Sequence, residues 1–318
     1  MADGPVLVLG ARGMLGTDVM AALAAAGLPA RGLDLPDFDI TDDTALANVI
    51  LSEAQPSRRT SGPIISTDDT AFTNVILSEA QPSRRTSGPV VAVINCAAYT
   101  DVERAEDHEA LAHRINADAV GALGRLAAAA GVYVIHISTD FVFDGRKDGP
   151  YTEDDLPNPI SAYGRTKLAG ERALVESGCR HAILRIQWTY GRAGNHFVSK
   201  IAALARSHDR IRVVDDQRGA PTATTEVAAV IRTLLAARPE GVFHFAAAGE
   251  ATRFDVARAV VERLGLPTMV EPCASDTFPT KAARPANSRF DCTRIRTALP
   301  GAIRPWREVL EEYLEEGA

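Results

Sequence analysis

The chain has 318 residues, 46% hydrophobic and 24% charged, which is enough to bury a sizeable core in one large unit or in two domains sharing a cleft. A net charge of −7 and a pI near 5.6 argue against nucleic acid as the main partner, although local arginines and backbone amides can still hold an anionic ligand. The widely spaced Cys96, Cys179, Cys273 and Cys292 form no CxxC pair and no zinc pattern with the scattered histidines. The N-terminus has no basic leader, and no run approaches membrane-spanning length, so a cytoplasmic, reducing setting is expected.

Val6-Leu7-Val8-Leu9 is a short apolar run of the kind a doubly buried parallel strand shows. The glycine-rich turn Gly10-Ala11-Arg12-Gly13-Met14-Leu15-Gly16 follows, then an Ala-rich helix over 17–26 closed by Gly27, and a second strand over 30–33 closed by Asp34. Further strands are expected over 90–95, 133–137 and 182–186, with helices over 116–130 and 163–176 between them. This alternation predicts an α/β, Rossmann-type, doubly wound parallel sheet. Beyond residue 187, helices over 197–205, 226–237, 254–264 and 306–315 alternate with Pro- and Arg-rich connections. The expected division is a dinucleotide-binding domain at 1–186 and a smaller, interleaved substrate domain mainly at 187–318. A segment of about 224–247 returns to the first domain, with 242–245 rejoining its sheet.

Residues 41–63 recur at 67–89 with two changes, Leu46 to Phe72 and Ala47 to Thr73. Two units are too few for a solenoid, so this is a tandem duplication in the connection between the second and third strands. Each copy carries one helix-forming stretch and a Pro-Ser-Arg-Arg-Thr-Ser-Gly-Pro turn, yet the fold has one slot for such a helix. The Arg-Arg pairs read as solvated loop before they read as an anion site.

The chemistry is concentrated in Tyr163-Gly164-Arg165-Thr166-Lys167. A phenol at i and an ammonium at i+4 share one helix face, where the charge can lower the phenol pKa for proton exchange near neutral pH. That spacing is common by chance. Joined to the glycine turn and to Ser138-Thr139 upstream, it points to a dinucleotide-dependent carbonyl or alcohol enzyme. The glycines allow close approach to a pyrophosphate, and Asp34 stands where an acid can bind adenosine ribose hydroxyls. Asp34 would favour NADH, whereas Arg12 offers a charge to a 2′-phosphate; NADPH and NADH both stay open.

Several blocks carry a closer likeness: Asn95-Cys96-Ala97-Ala98-Tyr99-Thr100-Asp101-Val102, Ser138-Thr139-Asp140-Phe141-Val142-Phe143-Asp144-Gly145, Asp216-Gln217-Arg218-Gly219-Ala220-Pro221-Thr222 and Arg284-Pro285-Ala286-Asn287-Ser288-Arg289. Together with the YxxxK helix and Arg185-Ile186-Gln187-Trp188, they resemble the extended short-chain dehydrogenase/reductase family, and within it the dTDP-4-dehydrorhamnose reductases. The resemblance implies NAD(P)H-dependent reduction of the C4 ketone of a dTDP-6-deoxyhexose to dTDP-L-rhamnose. Two alternatives stand beside it: a 4-ketoreductase for another deoxysugar, and a non-catalytic dinucleotide-binding subunit like that of methionine adenosyltransferase.

By the same resemblance Gly10, Gly13, Met14, Leu15 and Gly16 meet the dinucleotide, Asp39 and Ile40 flank the adenine, and Ala98, Tyr99 and Thr100 line the cofactor. Tyr163 gives the proton, Lys167 lowers its pKa and holds the nicotinamide ribose, and Thr139 rather than Ser138 bonds the substrate oxygen. Asp140 and Trp188 face the sugar, Trp188 either as a flat apolar wall or as a core residue. Asn195, Gln217, Arg284, Asn287 and Arg289 are candidates for the nucleotide end. Related dehydratases carry glutamate where this chain has Phe141, which cannot take a proton, so water elimination is not expected. Some relatives hold magnesium through acids near a dimer contact. Asp18 stands at one such place and Glu226 and Glu316 near the others, but an acidic surface is the default and no metal is assigned. A homodimer stays open.

Overall fold

The computed structural model describes residues 4–53, 90–299 and 301–316. The chain begins with β1 (Val6–Leu9), α1 (Met14–Ala25), β2 (Ala30–Leu33), α2 (Asp43–Glu53) and β3 (Ala92–Asn95). Two short helices follow, α3 (Val102–Ala105) and α4 (Glu109–His113), then a π-helical turn over Arg114–Asp118, α5 (Ala119–Ala130) and β4 (Tyr133–Thr139). After α6 (Ala162–Glu176) and β5 (His181–Ile186) come β6 (Thr189–Tyr190), α7 (Phe197–Ser207), β7 (Arg210–Val214), β8 (Arg218–Gly219), β9 (Thr222–Ala223) and α8 (Thr224–Ala237). The chain ends with β10 (Gly241–Phe245), β11 (Ala251–Thr252), α9 (Arg253–Arg263), β12 (Met269–Cys273), α10 (Thr293–Arg296) and α11 (Trp306–Glu315).

Six strands form one parallel sheet in the order β10-β5-β4-β3-β1-β2. β1 shows why its run is apolar throughout: Val6 and Val8 join the core under α1 and α8, while Leu7 and Leu9 join the opposite core under α2 and α5. The order reverses between β1 and β3, whose registers bring Leu9 beside Asn95. Gly10 and Cys96 therefore leave the sheet together at its carboxyl edge, where open α/β sheets bind ligands.

The expected strands all form. α1 starts at Met14, three residues before the expectation, because extended Gly13 (φ −69°, ψ 168°) is its N-cap and the turn runs straight into the helix. The helix expected from residue 116 begins with the π turn instead. The chain returns to the sheet after residue 223, with α8 against α1 and β10 beside β5. The β7–β12 pair was not anticipated. Its exposed Arg210 and Arg212 alternate with buried Ile211 and Val213, and this face packs with α7, α9 and α11 in a third core. The first copy of the duplication supplies α2, with Leu46 and Ile50 in the core. The second copy, 67–89, and both Arg-Arg turns lie outside the described residues.

Candidate active site

A cavity of about 630 Å³ runs along the carboxyl edge of the sheet from Asp34 and Asp39 to Arg253 and Arg284. Its first part is a cradle that only glycine can build. Gly10 sits at φ +73°, and a Cβ there would lie 2.7 Å from the Ala97 nitrogen; a Cβ on Gly16 would lie 2.0 Å from the Gly10 carbonyl oxygen. No side chain caps α1, so its first-turn amides face this space unspent. Asp34 accepts hydrogen bonds from the Arg12 amide (2.7 Å) and the Leu35 amide (2.8 Å), which fixes its carboxylate at the end of β2. The Arg12 side chain bends over to the Leu35 carbonyl and to Asp37. The Thr41 amide and hydroxyl hold one oxygen of Asp39 and keep its carboxyl below the usual range. These features fit the two phosphates and the ribose of a dinucleotide.

Ala98 and Thr100 line the cavity, whereas Tyr99 does not. Alternation along the extended segment turns Tyr99 away to pack with Ala105, Ala112 and Ala162. Its backbone is clamped by buried Asn116, which accepts from the Tyr99 amide (2.8 Å), donates to its carbonyl (3.2 Å) and donates to Thr166 (3.1 Å). Asn116 belongs to the π turn, whose carbonyl would lie 2.0 Å from a Cβ on Gly170 of α6. Sequence reasoning missed Asn116, because its role comes from a contact fifty residues along the chain.

Tyr163, Lys167, Ser138 and Thr139 meet in the middle of the cavity. Ser138 donates its hydroxyl to Glu171, which Arg185 grips through two bonds (2.9 and 2.6 Å) in a buried pair. The Thr139 hydroxyl is the one that acts on the phenol of Tyr163; it donates to Asp140 (3.0 Å) and accepts from the Phe141 amide (3.2 Å). Burial pushes the Tyr163 phenol up to about 12; the neighbouring Thr139 hydroxyl opposes this and the Asp140 charge adds to it.

The expectation that Lys167 lowers this pKa is not met by the observed geometry. The Lys167 ammonium points to the Ile137 carbonyl (2.7 Å) and the His136 ring (3.4 Å), and it is not among the groups that act on Tyr163. A chain of donors explains its surroundings. The Ala97 amide donates to Asn95 Oδ1 (3.1 Å), which fixes the Asn95 amide and directs its Nδ2 to His136 Nδ1 (3.1 Å). Neutral His136 then carries its proton on Nε2, facing Lys167. Burial holds Lys167 down to about 8, with Glu171 and Cys96 opposing. Cys96 also lines the cavity, and burial pushes its thiol up to about 12, so it is unreactive at neutral pH.

At the far end Trp188 and Asn195 line the cavity with Phe197, Arg253 and Arg284. Trp188 has a left-handed backbone (φ 45°), and its ring fits only because Gly219 has no Cβ, which would lie 2.7 Å from it. Arg284 lines the wall but pairs with Glu103 at 2.6 Å. Gln217, Asn287 and Arg289 lie outside the lining. Gln217 donates to Ser275, Asn287 to the Lys147 and Gly149 carbonyls, and Arg289 to Asn287, Glu250 and the Asp148 carbonyl. Ser288 in the same block donates to buried Asp140, so this motif braces the site from behind. Phe141 lines the cavity with its ring edge to Tyr163, at 5.5 Å between centroids.

Asp18 accepts from Thr224, Glu226 lies 3.6 Å from Arg304, and Glu316 pairs with Arg192. Protein donors already occupy these acids, and among the described residues no three acidic, histidine or cysteine side chains converge on a metal position. Among those residues, too, no helix is long and apolar enough to cross a membrane.

A parallel sheet with a glycine cradle at its switch point and a Tyr–Lys helix beside a Ser–Thr strand end defines a nicotinamide-dependent oxidoreductase of the short-chain type. The comparisons narrow this class. The chain belongs to the family described as RmlD substrate binding domain, whose model matches residues 4–318. It is 36% identical over 311 residues to a dTDP-4-dehydrorhamnose reductase of Mycolicibacterium smegmatis, covering 96% of this chain and 84% of that one. It is 33% identical over 311 residues to a dTDP-4-keto-6-deoxy-D-glucose reductase of Streptomyces niveus, covering 96% and 95%. The crystal structure of a dTDP-4-dehydrorhamnose reductase from Bacillus anthracis in complex with NADP superposes with a TM-score of 0.85 at 27% identity, covering 99% of this chain and 100% of that one.

Proposed function

We propose that this protein reduces the C4 ketone of dTDP-4-dehydro-6-deoxy-L-mannose to the alcohol of dTDP-L-rhamnose, using NADPH or NADH. The observation that carries this reading is the convergence of Tyr163, Thr139 and Lys167 on the cavity that also holds the glycine cradle. The relatives' shared reaction supplies the substrate.

The nicotinamide cofactor, when bound, supplies the hydride. The amides of Met14 and Leu15 would hold its phosphates, with Asp34 on a ribose and Asp39 and Ile40 beside the adenine. Thr139 turns its single hydroxyl proton from Asp140 to the ketone oxygen when substrate binds, and Tyr163 delivers the proton that completes the alcohol. A phenol held near 12 is fully protonated at neutral pH, the form that reduction requires. Lys167, whose ammonium donates to the Ile137 carbonyl, would hold the nicotinamide ribose. Asp140, anchored by Ser288 and Thr139, fixes that threonine and faces the sugar. Trp188, Asn195 and Arg284 form the rest of the substrate wall. Four free cysteines suit the cytoplasm, where nucleotide sugars are made.

The direct test gives the purified protein dTDP-4-dehydro-6-deoxy-L-mannose with NADPH or NADH, follows loss of the reduced cofactor, and identifies the product sugar. No oxidation above the substrate-free rate would sink the proposal. The Streptomyces niveus relative motivates a second reading, a 4-ketoreductase for another dTDP-deoxysugar. Turnover of dTDP-4-keto-6-deoxy-D-glucose without turnover of the L-isomer would favour it.

A further inference from the structure

Three cations line the cavity, Lys167, Arg253 and Arg284, and two of them are already engaged. Lys167 donates to the Ile137 carbonyl, and Arg284 pairs with Glu103. Arg253 is different. Its guanidinium carbon lies 3.7 Å from the centre of the Trp188 ring and 4.9 Å from that of Phe197, and it makes no hydrogen bond or ion pair with any described residue. At 3.7 Å a planar guanidinium can only lie face to face with the indole. Stacking of this kind uses the flat face and leaves the in-plane N–H donors unspent.

In this half-open cavity the unspent fork of a partly buried Arg253 is placed to meet an acceptor brought by a ligand. Asp140 acts on Arg253 only through its field, since its oxygens are bonded to Ser288 and Thr139. At the guanidinium the Asp140 field is favourable and the neighbouring Arg284 charge opposes it. Burial lowers the Arg253 pKa to about 10, which still leaves it charged at neutral pH. The tryptophan face that the sequence suggested as a wall for the sugar is thus covered by a cation.

We infer that Arg253, splinted on Trp188, is the residue that grips the diphosphate of the nucleotide-sugar substrate. The inference rests on the proposed reaction for the identity of the nucleotide, but not for the presence of an anion site. Arg284 and Arg289 were the arginines expected at the nucleotide end; Arg284 pairs with Glu103, and the donors of Arg289 are consumed by Asn287, Glu250 and Asp148.

The test compares the wild-type protein, Arg253→Met, which keeps an apolar stem on Trp188, and Arg253→Lys, which keeps the charge but not the fork. Each is saturated with NADPH and titrated with thymidine diphosphate, thymidine and inorganic pyrophosphate. Arg253→Met should bind thymidine diphosphate and pyrophosphate about ten- to a hundredfold more weakly, as expected for loss of hydrogen bonds to a charged group. Thymidine and NADPH affinities should stay within about twofold, and Arg253→Lys should fall in between. Unchanged pyrophosphate and thymidine diphosphate affinities would overturn the assignment. So would an equal loss for thymidine, which would make Arg253 a pocket-shaping residue, or a selective loss of NADPH, which would move it to the cofactor. If the wild type binds pyrophosphate through Arg253 but not thymidine diphosphate, the anion site stands and the proposed substrate fails.

Discussion

The duplication gives a prediction that two deletions can settle. The slot on the sheet is filled by the first copy, where Leu46 is 0% exposed and Ile50 1%, packed with Leu7, Leu9, Val120 and Leu123. Deleting residues 64–89 leaves only the first copy and joins Pro63 to Val90. Deleting residues 41–66 leaves only the second and joins Ile40 to Thr67. The two products are identical except for leucine or phenylalanine at the buried position and alanine or threonine beside it. Neither deletion touches Thr139, Tyr163 or Lys167, and shortening a surface connection changes loop-closure entropy by only about 0.6 kcal/mol per halving. Both should therefore fold and turn over. Their stabilities should differ, because a phenylalanine in a leucine slot overpacks by about 1–3 kcal/mol, and a threonine for alanine in a helix adds roughly 0.5 kcal/mol. At about 2–4 °C per kcal/mol for a chain of this size, the variant keeping the second copy should melt roughly 3–14 °C below the other. Thermal unfolding and 4-keto sugar turnover, measured on both, supply the check. Equal or reversed melting temperatures would refute the packing argument, and an insoluble or inactive pair would show that the extra segment is structural.

Three further outcomes are expected at the site. Tyr163→Phe should lower kcat by about a hundred- to ten-thousandfold, the usual contribution of general acid catalysis, while cofactor titration stays nearly unchanged; near wild-type turnover would remove Tyr163 from the mechanism. Asp34→Ala should weaken NADH binding more than NADPH binding, and paired titrations that show no change in preference would mean that another residue reads the ribose. Lys167 is held near 8, so its charge is present below that pH and lost above it. The alkaline limb of kcat/KM, which reports the free enzyme, should fall near pH 8, with that of kcat shifted upward by the bound dinucleotide's negative charge; a flat profile across this range would show that the ammonium is not required.

What could be read from the residues divides along physical lines. The glycine turn was legible because close approach forbids a Cβ at Gly10 and Gly16, a rule that acts at single positions. The Tyr163–Lys167 pair was legible because helical periodicity fixes which residues share a face, and the sheet because doubly buried strands are apolar throughout. The direction of the Tyr99 side chain was not legible, because a motif does not say which way an extended residue points. The direction of the Lys167 ammonium was equally invisible, since it depends on the Ile137 carbonyl that accepts from it at the end of β4.

The substrate wall was the least legible part, and for one reason. Arg253 begins α9 after a Thr252–Asp255 capping box, so the local sequence explains the helix but not the side chain. Its partner Trp188 lies on a distant segment, in a left-handed conformation made possible by Gly219 on a third. Three separate segments must fold before the cation and the ring meet. Arg289 and Asn287 look like ligand-binding residues in their motif, yet tertiary packing spends their donors on loop 147–149 and Glu250. The hydride-transfer half of the site therefore follows from local rules, and the sugar-nucleotide half from long-range packing. Differences in substrate among chains with the same Tyr–Lys helix should accordingly lie at positions such as Arg253, where a side chain can change without disturbing the cradle, the helix or the sheet.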